Sequence, residues 1–287
     1  MSWMRSPLAW LVGLGLSIAC LSLLILFAFL VQASMPFWQA YGLSPLWSSQ
    51  WYPYETLYGF LPAIVGSIWA MLIAMSFAVP CGLAAAIVSS EMMSNKGQAW
   101  AQLSMELMAG IPSVVYGLIG LWLLLPWLED SFDLLTGHSL LAAGMILALM
   151  ILPTIMLMSL DALRGVPQSQ RQAAMSLGMG WTQRLYHVLL PQAWAGIRSG
   201  ILLALGRALG ETMAVMLVVG SLDRLPQPIY NLLEPAQTLT SRIGRELGEA
   251  AFGSIHFAAL MACGLLLMLM AVGISMLAQH SRRETLS

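Results

Sequence analysis

The chain has 287 residues, of which 59% are hydrophobic and only 9% charged. Soluble domains carry about 25% charged residues, so these proportions exclude an ordinary water-soluble fold and point to a polytopic membrane protein. A formal net charge of −1, with Lys96 as the single lysine, argues against broad nucleic-acid binding.

A membrane-spanning helix needs about 20 mainly apolar residues. Six windows meet that length, roughly 8–33, 61–89, 104–128, 140–160, 193–220 and 255–279. The first follows Arg5 and is too long for the core of a secretory signal, which runs about 7–15 residues. The expected architecture is therefore all-α, a single membrane domain over 1–287 with six spans and both termini on one side. Cys20, Cys81 and Cys263 lie inside apolar runs, show no CxxC spacing and read as small membrane-embedded hydrophobes.

The connections fix the expected orientation. Arg5, Lys96, Arg164, Arg171, Arg184, Arg282 and Arg283 all fall on one face, which should be the cytoplasm of a multi-pass inner-membrane protein. The opposite face has no basic residue in 34–60 or 129–139. Its arginines, Arg224, Arg242 and Arg245, sit in the 221–254 loop beside Asp223, Glu234, Glu246 and Glu249. The aromatic first outer loop reads as interface-lying chain, with a sugar-stacking platform as the sharper alternative.

Inside the windows, charge is concentrated in span five, where Arg207 and Glu211 stand four residues apart. The nine Ile, Leu and Val residues between Gly200 and Gly220 contribute about −0.3 to −0.6 kcal/mol each on the insertion scale, and a central charge costs about +2.5 to +3.5. The sums nearly cancel, so the charged stripe should face protein or a water-filled cavity. On one helix the two residues are neighbours, and Gly206 with Gly210 forms an adjacent GxxxG stripe that permits a tight helix seam. A guanidinium suits an oxyanion, so Arg207 is a candidate anion contact and Glu211 the group that would hold Arg207 when no anion is bound. The alternative is a permanent ion pair that only orients helices. Ser113 and Tyr116, near Pro112 in span three, are secondary pathway candidates, with a packing interface as the competing reading. Glu106 reads as an interfacial carboxylate.

The loop 161–191 is the most informative connection. Pro167 suits a first helical turn and Gly178 a stop. A second short helix is expected from about Thr182 to Leu190, ending before Pro191. The pair would project as a hairpin between spans four and five. Gln172, Ala173 and Ala174, then Gly178, then Val188, Leu190 and Pro191 have the spacing of the cytoplasmic E-A-A signature. In these residues the chain resembles the permeases of ABC importers. Gln172 departs from the usual glutamate and loses its charge.

Further segments narrow the resemblance. Ala109–Leu121, Leu205–Val215 and LTSRIGRELGEA with the following IHFAALM are similar to the PstC-type permeases of phosphate-specific importers, a likeness that runs from about Tyr58 to Ala278. It implies a type I ABC importer permease fold whose coupling helix, carrying Gln172, Ala173, Ala174, Gly178, Leu190 and Pro191, docks on an ATPase. It also implies a second, PstA-type permease, an ATPase dimer and an extracytoplasmic phosphate-binding protein that delivers inorganic phosphate. Sulfate or molybdate is the alternative cargo. The chain would hold no cofactor, ATP and magnesium being bound by the partner ATPase.

Arg242 with Glu246 and Arg245 with Glu249 are i,i+4 pairs on an expected short helix, read as solvated or, by the resemblance, as an outer gate or binding-protein contact. His138, His187, His256 and His280 form no local ligand pattern, so no metal site is expected. No P-loop surrounds Lys96, and neither GxSG nor HExxH is present. Asp161 is the only acid near span four, which argues against an intramembrane hydrolase. A secondary transporter would leave the E-A-A spacing unexplained.

Overall fold

The computed structural model describes residues 7–284, with side-chain environments from Trp10 to Met276. Among the described residues, six helices are long and apolar enough to span a membrane. In chain order the helices are α1 (Pro7–Tyr41), α2 (Leu61–Glu91), α3 (Asn95–Gly110), α4 (Ser113–Phe132) and α5 (Leu140–Arg164). They continue with α6 (Gln168–Ser176), α7 (Trp181–Gly210), α8 (Met213–Val218), α9 (Leu239–Glu246) and α10 (Ile255–Glu284). Only isolated β-bridges, Tyr52 with Leu57 and Gly220 with Ala236, occur among the described residues.

The third and fifth spans are placed differently from the sequence expectation, for local reasons. Span three does not run from 104 to 128. Pro112 forces Ile111 out of helical geometry, to φ −68° and ψ 129°. The chain divides there into α3, which buries no residue, and α4. Span five does not begin at 193, because the helix from Trp181 passes through Pro191 without ending. A π turn over Leu185–Leu189 precedes that proline, and a second over Gly120–Leu124 precedes Pro126. The wider turn accommodates a ring that has no N–H and would otherwise clash with the carbonyl four residues back.

The centre of the fold is α5, the most buried of the spans. Its Ala142, Ala143, Ile146, Met150 and Ile151 pack with Ala70, Ile73 and Ala74 of α2 and with Val215 and Val218 of α8. At the end where the α6–α7 hairpin emerges, a second cluster joins Ala86 of α2, Leu160 and Leu163 of α5, and Leu185, Leu189 and Ile197 of α7. At the far end, Phe37 of α1, Trp51, Tyr58, Phe60, Leu239 and Leu260 form a third. Over residues 10–29 of α1 the side chains are exposed, as suits an apolar helix that faces lipid.

The α9 segment inserts into the far end instead of lying in solvent. Its N-terminal half is buried through Leu239, Thr240, Ser241 and Arg242. Thr238 caps it, accepting a hydrogen bond from the Ser241 amide at 3.1 Å. The Leu239 amide donates to Ser67 Oγ of α2 at 2.9 Å. Backbone and helix approach so closely here that a Cβ at Gly66 would overlap the Gln237 carbonyl, which is why glycine is required.

Candidate functional site

The sequence candidates fall at two arginines, Arg207 and Arg242. The first lies at the break after α7. The helix ends at Gly210, and Glu211 is extended at φ −73° and ψ 127° before α8 begins. The Thr240 hydroxyl donates to the Glu211 carbonyl at 2.8 Å, so a side chain from α9 replaces the helical partner. Glu211 Oε1 accepts from the Ala214 amide at 3.2 Å, which satisfies an otherwise open donor at the start of α8.

This geometry overturns the expected Arg207–Glu211 contact. The two residues do not share a continuous helix, and none of the ion pairs among the described residues includes either. The carboxylate is turned to the α8 backbone. The Arg207 guanidinium instead meets a neutral group, with Nη1 3.4 Å from Thr154 Oγ1 of α5. The GxxxG seam is also absent within the chain, since a Cβ on Gly206 or Gly210 would meet nothing within 4 Å. That face is open.

The secondary candidates separate. Tyr116 is buried, and its hydroxyl donates to the Met108 carbonyl at 2.7 Å. It bridges the Pro112 interruption and does not line an open path in this structure. Ser113 is half-buried at the first turn of α4. Gly117 and Gly120 face Leu217 and Val218 of α8 and Ile146 of α5 at contact distance, so this stretch is a packing seam. Glu106 is exposed on α3 and accepts from Gln102 Nε2 at 2.8 Å.

The second arginine site is at the far end. Arg242 is fully buried, with Nη2 2.6 Å from Asp223 Oδ1 and Nη1 donating to the Gly59 carbonyl at 3.0 Å. Its guanidinium carbon lies 4.0 Å from the centroid of Trp51, a cation–π arrangement. The same indole donates from Nε1 to Glu246 Oε2 at 2.9 Å. Glu246 also meets Arg245 Nη2 at 3.2 Å and His256 Nε2 at 2.9 Å. Arg245 returns to Asp223 Oδ2 at 3.0 Å and donates to the Ser221 carbonyl at 2.7 Å. A buried arginine is tolerable only with partners of this kind.

The expected i,i+4 pairs of a solvated helix are therefore not formed. Arg242 pairs with Asp223, not Glu246, and Arg245 pairs with Asp223 and Glu246, not Glu249. Burial excludes Arg242 from direct docking in this conformation, while Arg245 and Glu249 remain at the surface. A cavity of about 540 Å³ beside them is bounded by Trp51, Tyr54, Asp223, Arg245, Glu249 and His256. Tyr58, packed between Phe37, Tyr41 and Trp51, has its hydroxyl pushed above the ordinary tyrosine pKa by burial, with Tyr41 and Glu246 adding to the effect.

At the hairpin end, α6 exposes Gln172 and Ala173 and buries Ala174. Gly178 adopts φ +72°, the left-handed stop expected of it. Leu190 and Pro191 open the α-helical run of α7 after the π turn. Arg171 Nη1 meets Glu91 Oε1 at 2.7 Å, and Nη2 donates to the Leu163 carbonyl at 2.6 Å.

Sequence reasoning missed Asp223, Trp51 and His256 as partners of the α9 charges, Thr154 as the partner of Arg207, and Glu91. Trp51 and Glu246 are 195 residues apart, and no local spacing announces such a pair. A usable signal was Asp223, an acid directly beside Arg224 and one loop before two arginines. Among the described residues no cluster of three or more His, Cys, Asp or Glu could hold a metal ion. His280 lies outside the residues whose side chains are described.

Six spans, a projecting helical hairpin with the E-A-A spacing and a short helix inserted at the opposite end define a transporter permease of the type I ABC importer fold. The chain belongs to the family described as binding-protein-dependent transport system inner membrane component, matched over residues 78–285, and is a multi-pass inner-membrane protein. It is 38% identical over 250 residues to the probable ABC transporter permease protein YqgH of Bacillus subtilis, covering 85% of this chain and 80% of that one. It is 34% identical over 265 residues to the phosphate transport system permease protein PstC of Mesorhizobium japonicum, covering 85% and 80%. A bacterial alginate ABC transporter, solved with a pentasaccharide-bound periplasmic protein, matches with a TM-score of 0.67 at 18% identity, covering 96% of this chain and 95% of that one.

Proposed function

We propose that the chain is the PstC-type permease subunit of an ATP-driven importer of inorganic phosphate and forms half of the translocation pathway. The observation that carries the reading is Arg207, a half-buried guanidinium beside a broken membrane helix, whose one side-chain hydrogen bond among the described residues is to a neutral hydroxyl. An arginine in that state retains capacity for an oxyanion, which its planar fork grips with two hydrogen bonds. The open Gly206 and Gly210 face leaves room beside it. The cargo follows from PstC relatives in several organisms, at 30–34% identity.

The exposed α6 face docks on an ATPase dimer, which binds ATP and magnesium, and this chain holds no cofactor. A PstA-type permease completes the pathway. The termini and the hairpin face the cytoplasm, as the basic residues of the connections direct, and α9 lies on the outer side. There Arg245 and Glu249 meet the phosphate-binding protein, with Arg242 and Glu246 as their internal anchors.

The test is uptake of radiolabelled phosphate by cells carrying Arg207→Gln, with membrane level and co-purification of the partners measured in parallel. Uptake falls at least about tenfold while assembly is unchanged, the scale expected for loss of a directed charge contact. Excess unlabelled sulfate or molybdate leaves wild-type uptake unaffected. Normal uptake by the assembled variant would remove Arg207 from the pathway.

A further inference from the structure

The hairpin that meets the ATPase is tied to the membrane core at one polar point. Among the described residues, the only hydrogen bonds from α6 side chains to another helix are those of Arg171, to Glu91 Oε1 and to the Leu163 carbonyl. Arg184, at the start of α7 in the same hairpin, lines the same small pocket but joins none of the ion pairs among the described residues. Gln172, next to Arg171, is exposed and carries no charge.

Glu91 is in an unusual place for an acid. It is the last residue of α2, where the exposed carbonyls form the negative end of the helix and disfavour a carboxylate. The Arg171 guanidinium offsets that placement and also serves the last turn of α5 through Leu163, a favourable position for a cation. Both side chains are largely shielded, at 17% and 10% exposure, so the pair is screened less than a surface pair. Ser90 Oγ donates to the same carboxylate oxygen at 2.9 Å and fixes its rotamer. One guanidinium thus joins α6 to the ends of both α2 and α5.

The α2 helix continues from this point to the far end, where Ser67 Oγ accepts from the Leu239 amide at the start of α9. Gly66 lies against the Gln237 backbone there. We propose that Glu91 is the positioning residue of the transport cycle: through Arg171 it makes α6 and α2 move as one body, so that displacement of the hairpin reaches α9 and the Arg242 network. This inference rests on the transport reading above. It does not require that phosphate be the cargo.

The experiment uses the complete importer in proteoliposomes, with phosphate taken up per ATP hydrolysed as the first readout. Spin labels at Met93→Cys and Ser176→Cys, in a background lacking Cys20, Cys81 and Cys263, report the distance between the α2 end and α6. In the wild type that distance is the same with and without ATP. In Glu91→Ala the ATPase subunits still co-purify and hydrolyse ATP within about twofold of wild type, while phosphate per ATP falls at least about fivefold and the label distance changes with ATP. Glu91→Asp restores both readouts. Should Glu91→Ala not assemble, the isosteric Glu91→Gln is read in the same way. An unchanged ratio, or a parallel loss of hydrolysis and uptake with the label distance constant, overturns the proposal. If the wild-type importer takes up no phosphate, the cargo assignment fails and the label distances alone decide the role of Glu91.

Discussion

Arg242 and Arg207 are arginines in the same membrane protein, 35 positions apart in the chain, and they are treated in opposite ways. Arg242 is fully buried with a carboxylate at 2.6 Å, a carbonyl at 3.0 Å and an indole face at 4.0 Å. Arg207 is half-buried, and its one side-chain hydrogen bond among the described residues is to a threonine hydroxyl at 3.4 Å. The difference separates a charge that the fold consumes from one that it leaves available. Removing the first uncovers Asp223 and leaves a cavity over Trp51. Removing the second costs the fold little, and its effect belongs to transport.

Substitutions at the two sites can break this contrast or sharpen it. The largest stability effect is expected for Arg242→Ala, which leaves Asp223 with Arg245 alone, strips the Gly59 carbonyl of its donor and opens a cavity over Trp51; it should cost about 3–5 kcal/mol, read as a fall in the melting temperature of the detergent-purified chain. Trp51→Phe keeps the ring under the guanidinium but removes the Nε1 donor to Glu246. It should cost about 1.5–3 kcal/mol, the scale of one hydrogen bond to a charged group, because Glu246 keeps Arg245 and His256. Arg207→Gln should lie within about 0.5 kcal/mol of wild type in the same assay, despite its large effect on uptake. A melting shift as large as that of Arg242→Ala would mean that Arg207 is an anchor as well, and the contrast would fail.

The smallest effect is pH-dependent. The pKa of Tyr58 is raised in the folded chain, so its proton is bound more tightly folded than unfolded. Its contribution is then fully present below about pH 10, the ordinary tyrosine value, and is lost as pH rises through the folded pKa. Tyr58→Phe should match wild type in thermal stability near pH 7 and exceed it only above about pH 10. A difference at neutral pH would show that the hydroxyl has a role in the Trp51–Glu246 network.

Much of the architecture is legible without coordinates. Apolar run length identifies six spans, because a helix must cross a hydrocarbon core of fixed thickness. Pro167 and Gly178 delimit α6, because their backbone preferences act within a few residues. The same local reasoning failed at Pro191, where a π turn carried the helix through, and at Glu211, which is extended just after α7 ends and gives its carbonyl to Thr240 from a distant segment. It also paired Arg207 with Glu211 and Arg242 with Glu246 by spacing alone.

Composition and local pattern therefore determined the class of protein, the number of spans and the hairpin, since each depends on hydropathy or on backbone preference over a short stretch. Tertiary structure alone decided which charge meets which partner. Ion pairs and cation–π contacts are set by distances of a few ångströms between segments that can be far apart in the chain, such as Trp51 and Glu246 or Arg171 and Glu91. Packing of α2, α5 and α9 creates those distances, and no spacing within one helix encodes them.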